Sequence, residues 1–500
     1  MRHGPGLTTP TLSKSKYLAG CQCPRRVWLT CRAPELAAAP DAAKLALFEQ
    51  GHEVGRHAHA LFPGGVLVTE PAWEHRQAIE TTRALLADPA VPAIFEGAFE
   101  HDGVRIRADV LERLSGDRFG LREVKASARV KPEHLDDCAV QRYVLEGCGL
   151  RIESVELIHV NTGYLREDGE IDWAGLFARR DLTSEVAGAL PGVRERVARF
   201  HGLLRAPSAP EIEPSGHCFT PFDCEFWDHC TRGKPDDWIF HLPWVGRRLA
   251  ALRAAGVERI VELPDQPPLS DLHLRIRTAL RSGRVQVAPG LGAALRAAGL
   301  PAHYLDFETM SPAVPLYPGT RPYQVLPFQW SLHSDDGTGS LRHREFLAAG
   351  AADPRREFAE SLVAALRGDD APVLVYSAFE SARLGELEAC LPDLAPELGR
   401  IRDRLFDLYP VVLRHLYHPD FDFSFSIKTV APALAPDLHW DDLGAIADGA
   451  AASAAFASLA AGRVPAAERE LVRAALRGYC ARDTLALARV HRALLEWAHP

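Results

Sequence analysis

A mixed α/β chain of more than one domain is the fold class this sequence predicts, on three observations. Val104–Leu111 and Phe119–Lys125 alternate apolar and charged residues on either side of a Ser115-Gly116-Asp117 turn, as half-buried strands do. From about residue 301 to 500, short apolar strands alternate with helical stretches, the pattern of a sheet covered by helices. A length of 500 residues also exceeds what one hydrophobic core ordinarily organises.

Composition narrows the class. Hydrophobic residues make up 47% and charged residues 25%, enough apolar material to bury real cores. The first twenty residues lack an apolar signal segment and read as a loose lead into structure. Ala450–Ala461, the most apolar stretch, is too alanine-rich to span a bilayer, so no membrane partner and a cytoplasmic location are expected. A net charge of −9 runs against phosphate binding, yet metal-ligating carboxylates add negative charge that bound cations offset, and cations outnumber acids between Val104 and Lys131. Ten cysteines in a cytoplasmic chain point to metal or thiol chemistry rather than disulfides.

Three segments follow in order. Residues 12–235 hold helices around the strand pair, closed by a cysteine group. Residues 236–300 read as a helical connector with a Pro-rich break at LPDQPPLSD. In it, Ala251–Val257 and Ala294–Leu300 each end in Gly plus an apolar residue, as glycine-capped helices do, and Leu249–Leu263 also fits half of a helix-hairpin-helix. Residues 301–500 form the alternating α/β segment.

In the strand pair, Glu123 and Lys125 share a face and Asp109 lies on the neighbouring strand. Two carboxylates suit Mg²⁺ or Mn²⁺ through oxygen ligands, and a lysine beside them can orient or deprotonate water for phosphodiester hydrolysis. A surface salt bridge is the plainer use of a Glu/Lys pair at this spacing. With Gln141-Arg-Tyr143 on the following helix, the set resembles the RecB-like branch of the PD-(D/E)xK nucleases. That resemblance implies Gln141 and Tyr143 beside the site, contacting substrate or metal shell, and a histidine ligand on an early helix. Gly51–Gly64 offers His52, His57 and His59, but the position after Gly-x-x-Val is Gly55.

Cys218, Cys224 and Cys230 are spaced with five residues between successive members, and Cys23 stands alone in Cys-Pro-Arg-Arg near the start. Four thiolates hold a 4Fe–4S cluster or zinc, and spacing alone does not choose; His217 and His229 are further zinc donors. One early cysteine, nuclease motifs, then three late cysteines resembles the iron–sulfur RecB-like nucleases. This implies a structural 4Fe–4S cluster on Cys23, Cys218, Cys224 and Cys230, with Cys21 the competing first ligand. The remaining cysteines read as small core residues.

His303–Met310 (HYLDFETM) reads as a strand with Leu305 and Phe307 toward the core and Asp306 and Glu308 together on the other face. An Asp-x-Glu pair can serve two divalent ions. Val373–Tyr376 is a further strand followed by Glu380, and Tyr479 and Asp483 share a helix face. Asp-x-Glu, a later acid, then Tyr-x3-Asp resembles the DEDDy exonucleases of the RNase H-like fold. It implies metal ligation by Asp306, Glu308, Glu380 and Asp483 and a water-positioning Tyr479. Glu380 stands where that family has Asp, and Asp407 is a spare candidate. Lys428 could approach a substrate phosphate or be simply solvated; Tyr317, Tyr323 and Trp330 could stack on bases or pack in a core.

Taken together, the chain resembles bacterial proteins that join an iron–sulfur RecB-like nuclease to a C-terminal RNase H-like exonuclease. The activity implied is metal-dependent hydrolysis of DNA, as single strands or ends, with 3′–5′ exonuclease action in the C-terminal segment. A binding module without catalysis and an RNA-directed exonuclease are the alternatives.

Overall fold

The computed structural model of the protein describes residues 10–265, 269–444 and 446–498. The expected lead at residues 1–9 and the middle of the Pro-rich break, residues 266–268, lie outside them. The chain is mixed α/β and divides into two compact units, one running to Gly233 with Pro312–Tyr323, the other holding Lys234–Ser311 and the residues from Gln324. The expected connector thus belongs to the second unit. No helix among the described residues is long and apolar enough to cross a membrane.

The first unit contains strands β1 (Leu12–Ser13), β2 (Val66–Leu67), β3 (Ala93–His101), β4 (Val104–Ser115), β5 (Arg118–Lys125), β6 (Arg151–Val160) and β7 (Phe177–Asp181). They run β2-β3-β4-β5-β6-β7, with β1 parallel to the start of β4. β3, β4 and β5 are an antiparallel meander, and β6 returns parallel to β5. Asp102 and Gly103 turn β3 into β4 with φ of +47° and +69°, the left-handed pair that a two-residue hairpin needs. Helices α1 (Lys14–Gln22), α2 (Pro24–Arg32), α3 (Ala42–Ala58), α4 (Pro132–Gly147) and α5 (Thr183–Leu204) belong to the same unit. Tyr17, Ile106, Leu121, Val144, Val155 and Phe200 form the core of one face.

The other face carries Val54, Phe95, Val110 and Ile158, together with Ala313, Val314 and Tyr323. Those last residues explain why 312–323 does not stay with the segment around it. Arg166 also donates to the carbonyls of Pro315 and Leu316, each at 2.7 Å. Apolar burial and satisfied backbone carbonyls hold this stretch in the first unit.

In the second unit, strands β8 (Gln286–Val287), β9 (Ala302–Met310), β10 (Leu326–Asp335), β11 (Leu341–Leu347), β12 (Val373–Val375), β13 (Leu405–Asp407) and β14 (Leu416–Tyr417) form two sheets. The larger runs β11-β10-β9-β12-β13, with β10 antiparallel to its neighbours and β12 and β13 parallel to β9. Leu305 and Phe307 pack against α6 (Arg355–Leu366) and α7 (Phe379–Cys390), as their alternation requires. Further helices are α8 (Ile427–Leu434), α9 (Gly449–Ala460) and α10 (Arg469–Ala498). α10 is fastened to β10 by Gln329 donating to Leu476 O at 2.9 Å and by Ser331 and His333 meeting Thr484 Oγ1 at 2.8 Å.

The two glycine caps fare differently. Gly256 is left-handed, φ +81°, after the helix Arg248–Ala254, and Val257 N bonds back to Leu252 O at 3.0 Å. The second helix already ends at Ala294, and Gly299 is not among the left-handed glycines. Trp330 is a core residue, its indole donating to Ser361 at 3.0 Å.

Candidate functional site

Three groups of chemistry-bearing side chains form, two in the first unit and one in the second. Pairing of Val110 with Arg122 sets the register that brings Asp109 beside β5, where its Oδ2 accepts from Val124 N at 2.8 Å. Glu123, fully buried, accepts from Lys125 at 2.6 Å through one oxygen and from Gln141 at 2.6 Å through the other. Gln141 also reaches Asp137, one turn earlier on α4, at 3.0 Å, and Lys125 meets that same carboxylate at 2.6 Å.

A second lysine enters from the opposite side. Lys14, the first residue of α1, lies 2.9 Å from Glu123, 3.5 Å from Asp137 and 3.9 Å from Asp109. Burial alone would discharge Glu123, but Lys125, Lys14 and the Gln141 bond outweigh it and hold the carboxyl below its usual range. Asp109 feels the same two lysines and accepts from Val124 N, but they do not outweigh the opposing effects. Burial and the neighbouring Glu123 push it up to about 7. Lys14, Asp109, Glu123 and Lys125 line a cleft of about 980 Å³ that also takes in His52, His59 and Glu96. Glu96 has φ +55° and lies in β3 between residues paired to Val110 and Ala108, and burial raises its carboxyl.

Among the early histidines, His57 stacks on Trp173 at 4.0 Å and His59 on Phe95 at 3.9 Å. His52 and Gly55 both line the cleft, three residues apart on α3 and therefore on one helical face. His52 thus supplies an imidazole where Gly55 has none. Tyr143 is not brought to the carboxylates: it donates to Asp102 at the β3–β4 turn and packs edge-on to His101. Positions i and i+2 on a helix are about 200° apart, so Gln141 and Tyr143 face opposite ways. Lys14, Asp137 and Glu96 were not singled out in the sequence. Asp137 had a signal in its four-residue spacing to Gln141.

Cys23, Cys218, Cys224 and Cys230 line one pocket. Cys21 points elsewhere, toward Tyr17, Arg196 and Asp136. Gln22 donates to the carbonyls of His217 and Phe222 at 2.8 and 2.7 Å, and Arg26 grips Glu225 at 2.7 Å, so α1 and α2 clamp the late cysteine segment. Burial pushes Cys224 up to about 11 and raises Cys218 and Cys230. Among the described residues, no three of these sulfurs fall within 4.8 Å of one another.

In the second unit, Asp306 and Glu308 project from β9 away from the Leu305 and Phe307 core, toward α10. Burial, then Glu308, Asp483 and Glu380, push the Asp306 carboxyl well up. Glu308 is raised by burial, Asp483 and Glu380 against the pull of Lys428. Glu380, in the first turn of α7, accepts from Ser377 at 3.2 Å and is pushed up to about 7 by burial. Asp483 is raised by burial although Trp440 donates to it at 2.6 Å. Tyr479 hydrogen-bonds Asp483 and accepts from Lys428 at 3.0 Å; burial and the surrounding acids hold its phenol protonated.

The sequence-predicted set Asp306, Glu308, Glu380, Tyr479 and Asp483 is therefore assembled. Asp407 lies at the end of β13, where it acts on Glu380. Cys480, fully buried, was read as a core residue; its sulfur also lies 3.7 Å from Asp306 Oδ2 and forms a close group with Asp306 and Glu308.

A family model described as Domain of unknown function (DUF2779) matches residues 303–426. That span holds Asp306, Glu308 and Glu380 and stops before Lys428, Tyr479 and Asp483. No curated protein matches the chain.

Proposed function

We propose that this chain is a metal-dependent nuclease acting on DNA, with its principal catalytic centre at Asp306, Glu308, Glu380 and Asp483. The observation that carries the reading is a cluster of four carboxyls, Glu308 and Glu380 buried and Asp306 and Asp483 half-buried, all held above their usual range around a protonated Tyr479 beside the central strand of the second unit's larger sheet. Such a group is stable as anions only with added positive charge. The strand order β11-β10-β9-β12-β13 with β10 alone reversed supports an RNase H-like architecture.

Divalent ions held there would stabilise charge on a phosphodiester and lower the pKa of an attacking water. The remaining work falls to the chain's own groups. Tyr479, fixed between Lys428 and Asp483, directs its hydroxyl at the water's position. Lys428 offers a cation to the phosphate, and the Trp440 bond to one oxygen fixes the orientation of the Asp483 carboxyl.

The first unit supports a second centre of the PD-(D/E)xK type. Its meander, helix α4 and parallel β6 place Asp109, Glu123 and Lys125 together, with Gln141 orienting Glu123 and His52 in the cleft. Lys14 between its carboxylates favours a second reading of this unit as a nucleic-acid-binding module without catalysis. The four cysteines that share one pocket are proposed to hold a 4Fe–4S cluster, with zinc as the alternative on the same thiols.

Degradation of end-labelled single- and double-stranded DNA in Mg²⁺ or Mn²⁺ tests the reading. Loss of activity in Asp306→Ala alone assigns it to the second unit, and loss that requires Lys125→Ala as well assigns it to both. Unchanged activity in the double variant would refute the proposal. A cytoplasmic location is proposed with it, and an RNA substrate in place of DNA is the competition arm.

A further inference from the structure

Within the second unit, away from the acidic centre, two adjoining grooves of about 820 and 610 Å³ share Ser270 and Leu272 in their walls. One is lined by Arg275, Arg414 and His415, the other by Trp244, Arg247 and Arg248. Asp271 is the one carboxylate among the described lining residues. In a chain of net charge −9, this is a local concentration of arginine. The Arg275 and Arg414 charges are close enough to act together on the His415 ring.

Trp244 is the more telling residue. It is 63% exposed and its backbone is left-handed, φ +51°, a conformation that costs a bulky residue energy. In that conformation a large apolar ring lines the groove. Its inner edge lies against Phe425, with ring centroids 6.2 Å apart. Phe425 stands three residues before Lys428, which touches Tyr479 of the acidic centre. An exposed aromatic platform flanked by guanidinium groups is the chemistry that holds an unpaired strand, bases on the ring and phosphates on the cations.

We propose that this groove is the docking track of single-stranded DNA, with a base stacked on Trp244 and phosphates held by Arg247, Arg275 and Arg414. It rests on the nuclease reading and adds to it the strandedness of the substrate and the route it takes.

The test is fluorescence anisotropy of labelled oligothymidylate with the full chain in Ca²⁺, over a range of salt. Arg247→Glu and Arg414→Glu, both at exposed positions, should each weaken binding roughly tenfold and lower the salt slope by about one. Trp244→Ala should weaken it about tenfold, with Trp244→Phe recovering most of the loss. Hydrolysis of the p-nitrophenyl ester of thymidine monophosphate, too small to reach the groove, should stay unchanged in all four variants. Binding within twofold of wild type in every variant overturns the track while leaving the nuclease reading intact. Tighter binding of duplex, or of RNA of equal length, overturns the assignment to single-stranded DNA. A wild-type chain that neither binds DNA nor cleaves the small ester sinks the nuclease reading itself.

Discussion

In the first unit, Glu123 is enclosed by Lys14, Lys125 and Gln141, and its charge is secured from within the chain. In the second, Glu308 faces Asp483, Glu380 and Asp448 with Lys428 opposing them, and its proton is held tightly. Both are buried acidic centres on the middle strands of a sheet, yet one balances its own charge and the other leaves it to be balanced from outside. The difference teaches where a cation is most needed. A buried carboxylate group with too little counter-charge of its own holds its protons to higher pH, and a bound metal ion favours their release.

Experiments that separate the two centres follow from that contrast. The largest effect is expected from Asp306→Ala, which should lower Mn²⁺-dependent release of labelled nucleotides roughly 10³-fold, the rate equivalent of several kcal/mol of lost charge stabilisation. A residual rate near wild type would move catalysis to the first unit. Next, Cys218→Ser should remove absorption near ~400 nm from anaerobically purified protein and lower the melting temperature by roughly 5–10 °C. A colourless wild type containing stoichiometric zinc breaks the cluster assignment.

Charge balance itself is measurable through pH. Folded Glu380 keeps its proton up to about 7, whereas an unfolded glutamate releases it near about 4.3. Across that window the folded state binds more protons, so metal-free stability should fall as pH rises, and Mg²⁺ should restore it. Glu380→Gln should flatten the slope; an unchanged slope would show the charge is relieved elsewhere. Glu123 behaves oppositely. Its depressed carboxyl contributes stability above the ordinary carboxylate range, lost only as pH falls through the lowered value.

Lys14→Met should destabilise metal-free protein by about 2 kcal/mol, because buried Glu123 loses one of its two lysines, and Mn²⁺ should recover more stability in the variant than in wild type. Equal recovery in both would break the idea that Lys14 stands in a cation's place. The smallest effect belongs to Tyr143→Phe. Losing its bond to Asp102 should cost about 1 kcal/mol in denaturant titration and leave cleavage unchanged.

Much of this was legible in the sequence because strand alternation is local. HYLDFETM already separates Asp306 and Glu308 from Leu305 and Phe307, and the Glu123-Val-Lys125 pair likewise keeps one face. What escaped depends on distant pairing. Lys14 reaches Glu123 only because β1 lies parallel to β4, a contact no local pattern encodes. The strand β3 was missed although Asp102-Gly103 is a strong hairpin signal, and with it went Glu96. Tyr143 was carried into the site by resemblance, and helix geometry turns it away.

The return of Pro312–Tyr323 to the first unit bears on how the protein is made. A ribosome delivers Gly233 long before it delivers Tyr323, about 5–20 s at ordinary elongation rates. Through that interval the face around Val54, Phe95 and Ile158 lacks its last apolar cover, although the four cysteines are already in hand. Nascent chains halted before residue 312 should therefore be vulnerable to proteases and sticky to chaperones, and maturation of this unit waits on its neighbour's synthesis.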